Sequence, residues 1–220
     1  MTGDPIQAKV LCVQYIPNAD VSILKKFRTL KGHNSLGIIT TDSDDVGYSA
    51  LDEATKKANV RVVYAKSMYG GAVNASTKLA GEFIGILAGP DPEEVRSGME
   101  AAIAFIEHTG RFYSANEDDS IIYYAQCISR TGTYLSKTAG IKEGESLAYL
   151  IAPPAEAMVA LDEALKAADV ELKLFYGPPT ETNFAGGLLT GEQAACEAAC
   201  EAFARKVEAV ARRPVADGER

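Results

Sequence analysis

The sequence predicts an α+β fold made of two tandem copies of one unit, each a small antiparallel sheet covered by helices. The stretch ALDEATKKANV, which starts at Ala50, returns as ALDEALKAADV from Ala160. Strand-like apolar runs flank both stretches, and a long amphipathic helical pattern ends each copy. A repeat of this length with matching flanks indicates a duplicated structural unit.

The first copy is predicted to contain four strands and two helices. The strands are KVLCVQYIP, SLGIITT, RVVYAKS and GEFIGILAG. The helix with the repeated stretch follows the second strand, and a second helix, DPEEVRSGMEAAIAFIEH, follows the fourth. Pro92 and the acids behind it are typical of a helix N-terminus.

The second copy follows the same order. Its strands are DSIIYYAQCIS, SLAYLIA, ELKLFYG and the weaker FAGGLLTG, and its last helix is GEQAACEAACEAFARKVEAVAR. The polar run YSANEDD separates the copies. We therefore predict one domain over residues 1–113 and another over residues 114–220.

The amino-acid composition excludes some classes of function. A net charge of -8 argues against a nucleic-acid partner, because phosphate binding needs clustered Lys and Arg. No apolar run has the length of a membrane span, and MTGDPIQAKV lacks the pattern of a signal peptide. We expect a protein of the cytoplasm with no membrane association.

Neither a metal nor a cofactor is predicted. The four cysteines include Cys196 and Cys200, one helical turn apart, but no second pair accompanies them. They are interpreted as small buried residues of a reduced protein. The sequence also lacks a nucleophile elbow, a phosphate-binding loop and a dinucleotide fingerprint, which weakens the case for an enzyme.

Negative charge is concentrated where the second predicted strand gives way to a helix, at Asp42, Asp44 and Asp45. An EF-hand calcium loop is rejected, because Val46 occupies a ligand position and a strand precedes the loop. Helix capping does not require three acids, and the second copy has APPAEAMV at the same place. A solvated acidic helix start and a site for a cation both remain open.

The chain resembles the bacterial microcompartment shell proteins, in their tandem and circularly permuted form that serves ethanolamine utilisation. The resemblance extends from about Lys9 to Arg213. It is found in SLGIITTDSDDVGYSALDEATKKANVRVVYAKSMYGG, AGEFIGILAGPDP, SRTGTYLSKTAGI, AYLIAPPAEA and TETNFAGGLLTGEQAACEAAC. It implies a homotrimer that mimics a hexamer, tiles with other shell proteins and has gated pores, with ethanolamine as the metabolite.

The resemblance favours the cation site and suggests its members. Asp44 and Asp45 would accept hydrogen bonds from an ammonium group, for which a carboxylate is the strongest acceptor. Glu82 stands at the head of an apolar strand, where the family places a pore acid. Phe112, in an expected turn after the first copy's last helix, and Thr182, in a loop of the second copy, complete the set.

Two loops are predicted to gate a central pore. SMYGGAVNAST contains Tyr69 and the pair Gly70 and Gly71, and paired glycines allow hinge motion. Phe112 and Tyr113 are expected on a second loop, where their rings could plug a pore. An ordered Phe112 segment would couple occupancy of the small-ligand site to the gate.

Three functions compete at this point. The first is a shell and pore protein without catalytic activity. The second is an enzyme acting on an amine, with Asp44 and Asp45 as paired acid and base. The third is a regulatory module of duplicated α+β domains that binds a small molecule.

Overall fold

Ten strands and six helices form across residues 1–68, 77 and 79–215, the part of the chain that the computed structural model describes. The strands are β1 (Pro5–Gln7), β2 (Val10–Ile16), β3 (Ser35–Thr41), β4 (Arg61–Ser67), β5 (Phe83–Gly89), β6 (Arg111–Ser114), β7 (Ile122–Ile128), β8 (Ser146–Ala152), β9 (Glu171–Tyr176) and β10 (Ala185–Gly191). The helices are α1 (Val21–Phe27), α2 (Asp44–Lys57), α3 (Pro92–His108), α4 (Thr133–Ala139), α5 (Pro154–Ala167) and α6 (Gln193–Arg212).

The strands form two sheets of matching order. The first sheet runs β2-β3-β5-β4, and the second runs β1-β6-β7-β8-β10-β9. Neighbouring strands pair antiparallel throughout the first sheet and from β6 to β9 in the second. Four strands of each sheet thus repeat one order, which confirms the predicted α+β class and the duplication.

The chain divides into two compact units. The first unit comprises Gln7–Gly110 and Thr131–Thr138, and the second comprises Met1–Ile6, Arg111–Arg130 and Ala139–Arg220. The division after Gly110 lies close to the predicted boundary at residue 113, but each unit also includes a segment from elsewhere in the chain. The assignment of residues 1–113 and 114–220 as two shell domains stays a prediction.

In the first unit, helices cover both faces of the sheet. Helices α2 and α3 pack together on one face, where Gly37 and Gly85 allow a close approach: a Cβ on either would lie 2.7 Å from the side chains of Met99 and Leu51, respectively. Helix α1 covers the other face through the buried Leu24. Because both faces are covered, β3 is buried almost throughout, and its central residues Leu36–Ile39 are continuously apolar rather than alternating.

The core of the second unit forms where α5 and α6 pack on its sheet. Both helices are rich in alanine on this side, which allows them to approach closely, and the larger Leu150, Leu189 and Phe203 fill the remaining space. Cys196 and Cys200 lie in this core, as predicted for small buried residues.

Two short helices were not predicted from the sequence, and each lies between the first and second strand of its copy. Helices α1 and α4 have seven residues each, about two turns. A hydrophobic period of 3.6 residues has too few repeats over that length to be distinguished from a loop.

Helix α4 is fixed in the first unit by the carboxylate of Asp52, which lies on α2 and is fully buried. The backbone N–H of Gly132 donates to Asp52 Oδ2 at 2.7 Å, and that of Leu135 donates to Oδ1 at 2.8 Å. The N–H of Thr133 donates to Thr55 Oγ1 at 3.0 Å. Burial raises the pKa of Asp52, and the hydrogen bonds from Gly132 and Leu135 oppose that rise.

We expect Asp52→Ala to lower the free energy of unfolding by about 2–4 kcal/mol, because two buried N–H groups lose their acceptor. Asp52→Asn retains one acceptor oxygen and should cost less. Urea denaturation measures both values, and amide hydrogen exchange should show lost protection at Gly132 and Leu135.

A suitable control is Glu201→Ala, which removes an exposed acid of α6 that forms an ion pair with Arg205 in the adjacent turn. Equal stability losses for the two alanine variants would contradict the structural role of Asp52.

Candidate functional site

The acidic residues singled out in the sequence meet at one end of the first sheet. In the antiparallel register Thr41, the last residue of β3, pairs with Phe83, the first residue of β5. The N–H of Glu82 donates to the carbonyl of Thr41 at 2.9 Å. The residues that follow β3 therefore lie beside the residue that precedes β5, and Glu82 lies near Asp44.

Asp44 and Asp45 form the first turn of α2 and are 7% and 5% exposed. The N–H of Asp45 donates to Asp44 Oδ1 at 2.9 Å. Asp42 is different: it is exposed, and its Oδ1 accepts the N–H of Lys9 at 2.7 Å. The alternative of a solvated acidic helix start is therefore wrong for Asp44 and Asp45, because both carboxylates are buried.

Ordinary helix capping does not account for these acids. Ser43 occupies the N-cap position, yet its side chain makes no capping hydrogen bond. Its Oγ is buried and has no partner among the described residues. The counterpart helix α5 starts at Pro154, with Pro153 as its N-cap and a single acid, Glu156, in its first turn.

Electrostatic repulsion is present at this end of the sheet. Burial, together with the charges of Asp44 and Asp42, raises the pKa of the Glu82 carboxyl. A bound proton or an external cation relieves such repulsion. The arrangement therefore favours a positively charged group.

Tyr48 was not identified from the sequence, although it lies one turn beyond Asp44 on α2. Its hydroxyl lies 2.9 Å from Ser67 Oγ, and its ring packs edge-on against Phe83. Burial raises the pKa of Tyr48, and the charge of Asp44 adds to that rise. The i, i+4 spacing from Asp44 is a signal that sequence reasoning could have used.

Phe112 and Tyr113 were wrongly predicted to lie on a loop: both lie in strand β6 of the second unit. Phe112 is buried, and its ring centroid lies 5.3 Å from that of Tyr124 and 5.9 Å from that of Phe184. Tyr113 stacks on Tyr123 with 5.9 Å between centroids. The alternating pattern of a four-residue strand is too short to detect in sequence.

The remaining predicted residues lie in other places. Thr182 is in the loop between β9 and β10 of the second unit, and its hydroxyl lies 3.4 Å from that of Thr180. Tyr69, Gly70 and Gly71 fall outside the described residues. The structure brings Asp44, Asp45 and Glu82 together in the first unit.

No group of three or more His, Cys, Asp or Glu side chains suited to a metal ion occurs in the described part of the chain. The thiol of Cys127 has its pKa raised to about 11 by burial, which makes it unreactive at neutral pH. An open cleft of about 940 Å³ lies in the second unit, between the loops before β8, before β9 and after β10. None of the predicted site residues lines this cleft.

Comparison with known proteins gives consistent matches. The BMC domain family matches residues 35–117. The chain is 66% identical over 215 residues to the bacterial microcompartment shell protein EutL of Clostridium perfringens, covering 98% of this chain and 99% of that one. Within the described helices, no segment is long and apolar enough to cross a membrane.

Solved structures agree with the sequence matches. The ethanolamine utilization protein EutL from Leptotrichia buccalis superposes with a TM-score of 0.97 at 66% identity, over 99% of this chain and all of that one. A trimeric bacterial microcompartment shell protein PduB superposes with a TM-score of 0.73 at 24% identity, over 88% of this chain and 85% of that one. The second match concerns the fold alone.

We expect Asp44→Asn to lower the pKa of Glu82 toward its ordinary value, because one neighbouring negative charge is removed. An NMR titration of the Glu82 side-chain carboxyl measures the change. Glu100→Gln, which alters an exposed acid on α3, should leave the pKa of Glu82 where it is. An unchanged value in Asp44→Asn would show that the two carboxylates do not interact.

Proposed function

The chain belongs to the bacterial microcompartment shell proteins, and from this we propose that it assembles as a homotrimer in the shell of an ethanolamine-utilisation microcompartment. Shell proteins of this family are structural and not catalytic. The observation that supports the proposal most strongly is 66% identity to a EutL shell protein over 98% of the chain.

The duplication supports a trimer. A chain with two copies of the same unit supplies six such units in three chains, and a closed ring of six leaves no unpaired interface. The PduB shell protein that shares this fold is itself trimeric. Rings of this kind tile edge to edge with other shell proteins into a layer.

Electron microscopy and light scattering test the proposal. We expect a particle mass of three times the 23.4 kDa chain and, at higher concentration, flat sheets or hexagonal arrays. Discrete particles that never form layers would instead favour the second candidate, a regulatory small-molecule-binding module of duplicated α+β domains.

We further propose that the acidic end of the first sheet binds ethanolamine. The ammonium group would donate to the carboxylates of Asp44 and Asp45, with Glu82 nearby. The burial of both aspartates and the raised pKa of Glu82 support a site for a cation. The family resemblance further suggests Phe112 and Thr182 as ligand-binding residues.

The affinity should be weak, because a conduit must release what it binds. We expect Asp45→Asn to weaken ethanolamine binding by about 1–3 kcal/mol, the scale for loss of a charged hydrogen-bond partner. Calorimetry of wild type, Asp45→Asn and an Asp44→Asn/Asp45→Asn double variant measures this change.

The matched control is Asp42→Asn, since Asp42 is exposed and its carboxylate already accepts the Lys9 N–H. The affinity of this variant for ethanolamine should be closer to that of wild type than the affinity of Asp45→Asn is. Equal binding by the double variant and wild type would remove Asp44 and Asp45 from the site.

The pore gate is proposed on the same resemblance, with Tyr69, Gly70 and Gly71 on one segment and Phe112 and Tyr113 on the other. Bound ethanolamine can shift the gate only by its different affinity for the open and closed states. Hydrogen exchange over residues 67–77 and 110–118, with and without saturating ethanolamine, tests the coupling. Unchanged protection in both segments would mean that site and gate are independent.

A further inference from the structure

Corresponding helices of the two copies differ in the exposure of one stripe of side chains. On α2 the stripe is Asp45, Ser49 and Asp52, spaced i, i+4 and i+7, and all three are buried. The repeat alignment, Ala50 to Ala160, places Ala155, Val159 and Asp162 at the same positions on α5. Ala155 and Asp162 are exposed, and Val159 is 44% exposed.

At its C-terminal end, the stripe on α2 is covered by another segment of the same chain. Asp52 accepts two N–H groups from the start of α4, and Thr55 accepts a third. The Tyr134 ring of α4 stacks on Tyr48, with 6.3 Å between the centroids. Helix α4 is therefore the element that covers this end of the stripe on α2.

Helix α1 is the counterpart of α4 in the first copy. Both have seven residues and both connect the first strand of a copy to the second. Arg28 and Gly140 directly follow the two helices and share a left-handed backbone, with φ of +52° and +67°. Four residues later Gly32 and Gly144 share a φ of +90°. The two connections thus have the same course.

This correspondence pairs Ile23 of α1 with Leu135 of α4. Leu135 is 1% exposed, whereas Ile23 is 41% exposed and the adjoining Val21 is 61% exposed. Helix α1 thus exposes Ile23, whose counterpart on α4 is buried, and α5 exposes a stripe whose counterpart on α2 is buried. The two exposed surfaces, on α1 and α5, therefore correspond to the two surfaces that meet where α4 packs on α2.

We propose that α1 of one protein chain packs on the exposed stripe of α5 in a neighbouring, identical chain. The contact repeats between chains the pairing that α4 and α2 make within one chain. The two helices also have side chains of opposite charge, Lys25 and Lys26 on α1 and Asp162 and Glu163 on α5, and these two acids are paired with Lys166 and Lys206 within their own chain. This inference deepens the proposed trimer and rests on it, since it names the surfaces that join its chains.

The contact between chains differs in chemistry from the one within the chain. Gly132 lies so close to Asp52 and Thr55 that a side chain has no room there. Its counterpart at the start of α1 is Asp20, whose carboxylate accepts the N–H of Ser22 and so caps its own helix. Because Asp20 has a side chain, α1 must lie farther from α5 than α4 lies from α2.

Larger apolar side chains fill that greater distance. Val159 replaces Ser49 on the stripe, and Val21 replaces Thr133 on the short helix. Asp162 forms an ion pair with Lys166 instead of accepting helix N–H groups. The contact between chains is therefore chiefly apolar, while the contact within the chain is made by hydrogen bonds to a buried carboxylate.

Such a contact is heterologous, because different surfaces of the two chains meet. Cross-linking can exploit this property with Ile23→Cys on α1 and Val159→Cys on α5. A short bismaleimide forms one thioether with each thiol, and wild type measures the background from the native cysteines. We expect little product above background from either single variant alone and covalent dimers when the two variants are co-expressed.

The double variant, with both cysteines in one chain, should give a ladder that ends at a covalent trimer. The matched control replaces Val159→Cys by Val215→Cys, which introduces an exposed thiol beyond the end of α6. It should give no ladder above background. A double variant that is trimeric by light scattering but forms no cross-linked product above background would overturn the proposed contact.

A second variant, Val159→Asp, places a charge in the apolar contact. We expect at least a tenfold rise in the concentration at which half the chains are trimeric, with an unchanged circular dichroism spectrum, and a smaller effect from Val215→Asp. An unchanged midpoint in Val159→Asp would contradict the α1–α5 contact and leave the trimer intact. A wild-type protein that is monomeric at every concentration would overturn the trimer and, with it, this contact.

Discussion

The buried carboxylate of Asp52 is the interaction on which the arrangement of the first unit depends. It joins α2 to residues 131–138, more than seventy positions farther along the chain, by accepting N–H groups from Gly132 and Leu135. A carboxylate with no exposure is costly to ionise, and burial accordingly raises its pKa. The hydrogen bonds offset that cost, so the segment and the carboxylate stabilise each other.

The repeated stretch ALDEA has a different environment in each of the two copies. Asp52 and Asp162 occupy the same place in ALDEA, yet the first is buried against a helix and the second is exposed beside Lys166. Gly132 allows α4 to approach Asp52 closely, whereas the corresponding position before α1 is occupied by Asp20, which caps its own helix.

The acidic end of the first sheet follows from strand register. Antiparallel pairing of β3 with β5 brings the residue before one strand beside the residues after the other, which places Glu82 near Asp44. Such a concentration of buried negative charge favours a positively charged group. The position of Phe112 has a different physical basis, since its ring packs against Tyr124 and Phe184 in the second unit.

The sequence by itself determined the duplication, the order of the long elements and the family, because long periodic patterns and a repeated stretch survive without tertiary information. It also identified Asp44 and Asp45 by contrast with the second copy. It could not find α1, α4 or β6, whose patterns are too short to distinguish from loops. Only the tertiary structure decided that, within one chain, Asp52 is buried and Asp162 is exposed, because burial depends on which distant segment packs on a helix, and identical local sequences contain no record of that neighbour.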